Sequence, residues 1–169
     1  WFALTLLVPQ QYISKNTALK RFAVLLIILL FVQLIYGGFM AGLRAGTVAP
    51  TWPTINGEWL PGSLFLAKGK ANYFNNPFMV QFIHRGIAYL LSLLIIVWFI
   101  KATHHKTSSL FNKTRVIPFA LVLLQVILGI LTVLNATDAV AIVWFGVLHQ
   151  FVAMLLLMSL VWVLYLVKK

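Results

Sequence analysis

The sequence predicts an all-α, polytopic membrane protein whose four transmembrane helices form a bundle of two similar helix hairpins. Three observations lead to this fold class. Of the 169 residues, 62% are hydrophobic and only 9% are charged, and the mean hydropathy is +0.99. That composition excludes an ordinary water-soluble domain. The apolar residues form four long runs, and short motifs in the first two runs recur in the last two.

The four apolar runs are each long enough to cross a bilayer. A helix of about 20 residues spans the hydrocarbon core of about 30 Å, and each run has about that length or more. The bilayer core offers backbone N–H and C=O groups no other partner, so the spans must be helical. The predicted spans are residues 22–43, 78–100, 116–135 and 139–167.

Basic residues predict the orientation of these spans. They precede the first span, separate the second from the third, and end the chain: Lys15, Lys20, Arg21, Lys101, Lys106, Lys113, Arg115, Lys168 and Lys169. Such segments are typically cytoplasmic, so both ends are predicted to face the cytoplasm. The opposite side then holds the long loop 44–77 and the short turn 135–138. The net charge of +11 therefore sets topology and does not indicate nucleic-acid binding.

The first 20 residues differ from the rest of the chain. Residues 1–8, "WFALTLLV", are apolar but too short to span a membrane. We expect residues 1–20 to be the tail of a preceding helix followed by a cytoplasmic linker, and residues 21–169 to form the bundle. The sequence has no cysteine, so a bound metal would need histidine, methionine or oxygen ligands.

A weak repeat relates the two halves of the bundle. The first and third spans contain Gln-x3-Gly, as "QLIYG" at 33–37 and "QVILG" at 125–129. The second and fourth contain His-x3-Ala-x-Leu-Leu, as "HRGIAYLL" at 84–91 and "HQFVAMLL" at 149–156. The repeat predicts two hairpins related by a pseudo-twofold axis along the membrane normal.

The repeat places His84 and His149 at matched depth, each roughly 6 to 8 Å outward of the membrane midplane. Polar or small residues lie on the same helix faces, which predicts that both imidazoles point into the bundle. A haem iron ligated by one histidine from each side suits this arrangement. Arg85, and also Arg44, could then pair with haem propionates.

Other interpretations of these residues remain open. A transmembrane histidine can simply hydrogen-bond across the bundle, and Arg85 can extend its guanidinium towards the interface. Gln33 and Gln125 suit interhelical hydrogen bonds better than contacts to a cofactor. The acids, Glu58 and Asp138, both fall outside the spans, so no paired-carboxylate or Ser-His-Asp site is predicted and no catalytic residue is assigned.

Three segments resemble the carboxy-terminal half of the haem A synthase family. They are "GGFMAGLRAGTVAPTWPTINGEWLP", "VQFIHRGIAYLL" and "LLQVILGILTVLNATDAVAIVWFGVLHQFVAMLLL". The resemblance implies an eight-span protein built from two four-helix halves, each with two histidines. It also implies that the amino-terminal half takes haem O as substrate and the carboxy-terminal half holds a b-type haem. The reaction oxidises the C8 methyl of haem O to a formyl group and gives haem A for cytochrome oxidase.

For this chain, the resemblance implies that His84 and His149 are the axial ligands of haem b. It implies an oxidoreductase in an inner (plasma) membrane, bacterial rather than mitochondrial. The expected partners are membrane lipid, the missing amino-terminal half, haem O as substrate of the complete protein, an unidentified electron donor, and subunits of a respiratory complex.

Two other functions fit the residues. The chain could be a cytochrome b-like electron-transfer subunit of a respiratory membrane complex, since a bis-histidine haem has no open position for oxygen and is suited to passing electrons. Alternatively, it could be a cofactor-free membrane scaffold or carrier in which the histidines only join helices. Visible absorption of the purified protein separates the last function from the others.

Overall fold

The computed structural model describes residues 1–65, 69–105 and 107–168. Four long helices dominate it, labelled α1 to α4 in chain order. Their bounds are Thr17–Gly42, Pro77–Thr103, Val116–Leu134 and Ala141–Leu166. Each lies in a helical segment long and apolar enough to cross a membrane. The predicted all-α, polytopic membrane fold is therefore confirmed.

Short helical segments join and precede the long helices. They are Phe2–Leu7, Gln10–Tyr12, Ala45–Val48, Gly62–Phe65, Gly69–Ala71, Asn72–Asn75 and Ser109–Thr114. Residues 66–68 of the predicted 44–77 loop lie outside the described residues, as do the predicted orientation residues Lys106 and Lys169.

Polar residues just outside the apolar runs set where the long helices begin. The Asn16 side chain accepts a hydrogen bond from the Leu19 amide at 3.0 Å, so α1 begins at Thr17, before the predicted span. The Asn76 side chain accepts one from the Phe78 amide at 3.0 Å, and Pro77 occupies the first turn of α2.

Asp138 acts in the same way at the start of α4. Its carboxylate accepts hydrogen bonds from the amides of Ala141 and Val140, each at 2.9 Å. These bonds hold the pKa of the Asp138 carboxyl below its usual value, because they favour the charged form. The predicted turn at 135–138 thus ends at Asp138, whose carboxylate caps the amino-terminal end of α4 outside the membrane span.

The four helices close into a ring of neighbours. Helix α1 packs along α2 and α3 packs along α4, which gives the two predicted hairpins. Contacts between α1 and α4 and between α2 and α3 then join the hairpins. The long connection between α1 and α2 packs on one end of this ring through Ala45 and Ala49, which are both fully buried.

The main buried core occupies the end of the bundle that carries most of the basic residues. It takes the first half of α1, the second half of α2 and the second half of α4, with Leu26, Ile95, Trp98 and Leu160 among its fully buried members. The first 16 residues cover this end, where the Ser14 amide donates to the Leu166 carbonyl at 2.9 Å. The histidine-bearing half of the bundle lies outside this core.

Trp98 is the largest fully buried side chain of this core. Its indole N–H donates to the Leu19 carbonyl at 3.4 Å, and its ring meets Phe111 edge to face with centroids 5.9 Å apart. We expect Trp98→Ala to lower the free energy of unfolding by about 3 kcal/mol, because a large cavity forms. Chemical unfolding in detergent micelles measures the change.

Trp144 gives the matched control, because its side chain lies on α4 and is 66% exposed. Trp144→Ala should change the unfolding free energy by less than about 1 kcal/mol, since an exposed side chain leaves no cavity. Equal losses for the two variants would contradict the assignment of the core to the basic end.

Candidate functional site

In the first hairpin, a glutamine of α1 meets a histidine of α2. The side-chain nitrogen of Gln33 lies 3.2 Å from Nε2 of His84, within hydrogen-bond distance. Gly37 follows one turn later on α1, and a Cβ built there would lie 3.5 Å from Cε1 of His84. The Gln-x3-Gly motif thus supplies a hydrogen bond to the imidazole and space beside the ring.

The second hairpin repeats this arrangement. The side-chain nitrogen of Gln125 on α3 lies 3.3 Å from Nε2 of His149 on α4. A Cβ built at Gly129 would lie 3.0 Å from Cε1 of His149, so this glycine is needed more strictly than Gly37. The sequence repeat therefore corresponds to the same contact of glutamine, glycine and histidine in both hairpins.

The two Gln–His pairs lie at matching levels of the bundle. Gln33 and Gln125 each precede the end of their helix by nine residues. His84 and His149 follow the starts of α2 and α4 by seven and eight residues. Both pairs therefore occupy the half of the bundle nearest the long loop.

Each pair leaves buried polar atoms without a hydrogen-bond partner among the described residues. These atoms are the Nδ1 atoms of His84 and His149 and the Oε1 atoms of Gln33 and Gln125. Unpaired buried polar atoms cost free energy, and in native proteins they commonly mark a place for a ligand, an ion or water. Among the described residues, Nδ1 of each imidazole is thus without a partner.

These residues fit a haem better than a metal held by protein ligands alone. In the described parts of the chain, no group of three or more His, Cys, Asp or Glu side chains surrounds the two histidines. A structural or catalytic zinc site needs three or four such ligands, whereas a porphyrin supplies four nitrogens and needs only axial ligands. Two half-buried imidazoles, each with a buried nitrogen that has no partner among the described residues, meet that need.

Arg85 has a structural role that the sequence did not predict. One guanidinium nitrogen, Nη2, donates to the Thr51 carbonyl at 2.6 Å, and the other, Nη1, donates to the carbonyls of Thr54 at 3.0 Å and Pro53 at 3.3 Å. The guanidinium thus binds three carbonyls within residues 51–54 of the long loop. A contact of Arg85 with a haem propionate stays a prediction.

Arg85 belongs to a row of three side chains on α2 that hold the loop. One turn before it, the buried Gln81 side chain donates to the Ala49 carbonyl at 3.1 Å. One turn after it, the Tyr89 hydroxyl accepts a hydrogen bond from the Trp52 indole at 3.0 Å. The i, i+4, i+8 spacing of this row was visible in the sequence. The loop segment that it binds was not, because loop paths depend on tertiary contacts.

The remaining candidates lie away from the Gln–His pairs. Arg44 is exposed and adopts a left-handed conformation with φ of 48° before the helix Ala45–Val48. His104 and His105 are exposed at the end of α2. The structure therefore places His84 and His149 each beside the glutamine of its own hairpin, and it places Arg85 in a different set of contacts.

Similarity to known proteins covers nearly the whole chain. A family model named COX15-CtaA and described as cytochrome oxidase assembly protein matches residues 1–161. The chain is 32% identical to the haem A synthase of Nitrosospira multiformis over 167 residues, which cover 96% of the chain and 46% of that relative. No solved structure matches it.

Two further relatives show the same partial coverage. The haem A synthase of Rhizorhabdus wittichii is 37% identical over 91% of the chain and 42% of its own length. The haem A synthase of Flavobacterium johnsoniae is 32% identical over 100% of the chain and 49% of its own length. The chain thus spans a little under half the length of these curated relatives.

The contacts of Arg85 predict a local effect of its removal. In Arg85→Leu we expect the amides of Ile55 and Asn56, which are hydrogen-bonded within the loop, to exchange at least about tenfold faster. Hydrogen bonds from a charged donor contribute about 1.5–3 kcal/mol each, so losing them frees the loop. Hydrogen–deuterium exchange with mass spectrometry measures this. Arg21→Leu, an exposed arginine on α1, is the control, and equal exchange in the two variants would contradict the assignment.

The close approach of Gly129 to His149 predicts a second effect. Gly129→Val should lower the unfolding free energy by about 2 kcal/mol, because the added methyl groups displace the ring. Gly38→Val is the matched control on α1, where a built Cβ meets nothing within 4 Å. Thermal unfolding in detergent compares the two, and a Gly129→Val protein as stable as Gly38→Val would show that the ring does not need this glycine.

Proposed function

Because the chain belongs to the COX15-CtaA family of cytochrome oxidase assembly proteins, we propose that it is the b-type haem-binding half of a haem A synthase. In this proposal, His84 and His149 are the two axial ligands of the haem iron. The chain corresponds to the carboxy-terminal half of the complete protein. That protein oxidises the C8 methyl of haem O to a formyl group.

The repeated Gln–His pair carries this proposal. Each hairpin presents one imidazole at the same level, with one ring nitrogen buried and unpartnered among the described residues. Single histidines in membrane bundles often serve only as hydrogen-bond partners. Two that recur in a structural repeat, each with a free nitrogen, indicate a ligand shared between the hairpins.

The residues of the chain define what this half can do. When bound, haem supplies one-electron oxidation and reduction. His84 and His149, one from each hairpin, would hold the haem iron, and an iron held by two histidines is suited to electron transfer. The sequence offers no acid within the spans, since Glu58 and Asp138 both lie outside the long helices. This half therefore passes electrons, and the oxidation of haem O belongs to the other half.

The charge distribution supports an orientation in the membrane. The exposed bases Lys15, Lys20, Arg21, Lys101 and Lys113 lie near the core end of the bundle, opposite the Gln–His pairs. We infer that this end is cytoplasmic and that the histidines lie in the outer half of a bacterial plasma membrane. The relatives named above all come from bacteria.

The proposal also covers the organisation of the chain and its partners. Helix Phe2–Leu7 exposes Phe2, Leu6 and Leu7, each more than 70% accessible, which supports its assignment as the tail of a preceding span. Residues 21–169 then form the haem-binding bundle. Its partners are the amino-terminal half with its substrate haem O, membrane lipid, an electron donor and respiratory complex subunits.

A cytochrome b-like electron-transfer subunit would use the same two histidines in the same way. Family membership favours the synthase half, because three relatives with that name align over more than nine-tenths of the chain. A cofactor-free scaffold is less favoured, since it would leave four buried polar atoms of the two pairs without partners.

The ligand assignment predicts the visible spectrum of variants. The purified protein should show a reduced-minus-oxidised signal of b-type haem, and His84→Ala and His149→Ala should each lose that bis-histidine signal or change it to a five-coordinate form. His104→Ala and His105→Ala are matched controls, because both side chains are exposed at the end of α2. A normal signal in His84→Ala and His149→Ala would overturn the assignment.

A further inference from the structure

The buried amide oxygens of Gln33 and Gln125 lack partners in a way that matches the needs of a metal-bound histidine. In each pair, the side-chain nitrogen of the glutamine lies within hydrogen-bond distance of Nε2 of the histidine. Oε1 of the glutamine and Nδ1 of the histidine have no partner among the described residues. The two hairpins share this pattern atom for atom. It is therefore a feature of the repeat and not an accident of one helix contact.

The position of the proton on each imidazole decides which ring nitrogen can bind a metal. A neutral imidazole has one N–H and one nitrogen lone pair. When the lone pair binds a metal, the N–H on the other nitrogen is still buried and needs an acceptor. Because amide O and N exchange places by a half-turn of the side chain, the carbonyl oxygen of each glutamine can occupy the position now 3.2 or 3.3 Å from the ring.

We propose that Gln33 and Gln125 are positioning residues for the two ligand histidines. Each accepts the ring N–H of its histidine through its side-chain carbonyl and fixes the tautomer and ring orientation. The second ring nitrogen is then left unprotonated for iron. This inference rests on the proposed function, because it assigns no role to the glutamines unless His84 and His149 are ligands.

The hydrogen bond also tunes the site. An acceptor on the N–H of a ligand imidazole raises the electron density on the ring and makes it a stronger donor to the metal. A stronger donor favours the oxidised iron, so each glutamine lowers the reduction potential. Because the two pairs lie on separate hairpins, their effects should add.

Gln81 provides a matched control on α2. It is fully buried, its side chain donates to the Ala49 carbonyl at 3.1 Å, and it lies less than one turn from His84 without a hydrogen bond to either imidazole. If the midpoint potential changes merely because a buried glutamine is lost, Gln81→Leu will show the same change. If it changes merely because a charge is added, Gln81→Glu will show the same change.

The experiment is a spectroscopic redox titration of the purified haem-containing protein. We expect Gln33→Leu and Gln125→Leu each to shift the midpoint potential upwards, and the double variant to shift it by the sum. Gln33→Glu and Gln125→Glu should shift it downwards by more than Gln81→Glu does. Gln81→Leu should leave it unchanged.

Two results would overturn the inference: potentials of the Leu variants that match Gln81→Leu, or Glu variants that shift no further than Gln81→Glu. If a Leu variant binds no haem, the Glu variant at the same position decides, because it keeps the shape and the carbonyl oxygen of glutamine. The proposed function fails separately, when His84→Ala and His149→Ala keep a normal b-type signal.

Discussion

The hydrogen bond between a glutamine amide and an imidazole, made once in each hairpin, is the constraint on which the arrangement of this bundle depends. A polar side chain inside a membrane must find a partner in the protein, because hydrocarbon offers none. In each hairpin a glutamine and a histidine are partners of each other, Gln33 with His84 and Gln125 with His149. The rotation of each helix about its axis follows, since both partners must face the same interface.

The two ends of the bundle contain different kinds of side chain. Large apolar side chains fill the end that carries most of the basic residues, where Trp98, Phe111 and Tyr165 are fully buried. The other end holds glutamines, histidines and glycines, whose side chains are small or polar. Tight packing at one end can therefore hold the four helices together, while the other end retains side chains that are able to bind a ligand.

Much of this organisation follows from patterns that the sequence makes visible. Apolar runs predict the spans because bilayer thickness fixes their length, and the recurring Gln and His motifs predict which residues share a level. The glutamines were correctly predicted as interhelical contacts, but their partners were not. The row Gln81, Arg85 and Tyr89 was unpredicted because its partners are carbonyl and indole groups of a loop, and loop paths leave no periodic signal.

His84 and Arg85 are neighbours in the sequence, yet α2 turns them towards different tasks about 100° apart around its axis. The imidazole of His84 faces Gln33 of α1, and the guanidinium of Arg85 binds loop carbonyls between Thr51 and Thr54. Any roll of α2 that moved the ring would pull the guanidinium from those carbonyls. The hydrogen bonds from Arg85 to the loop therefore restrain rotation of α2 about its own axis. The helix cannot rotate unless these bonds break first.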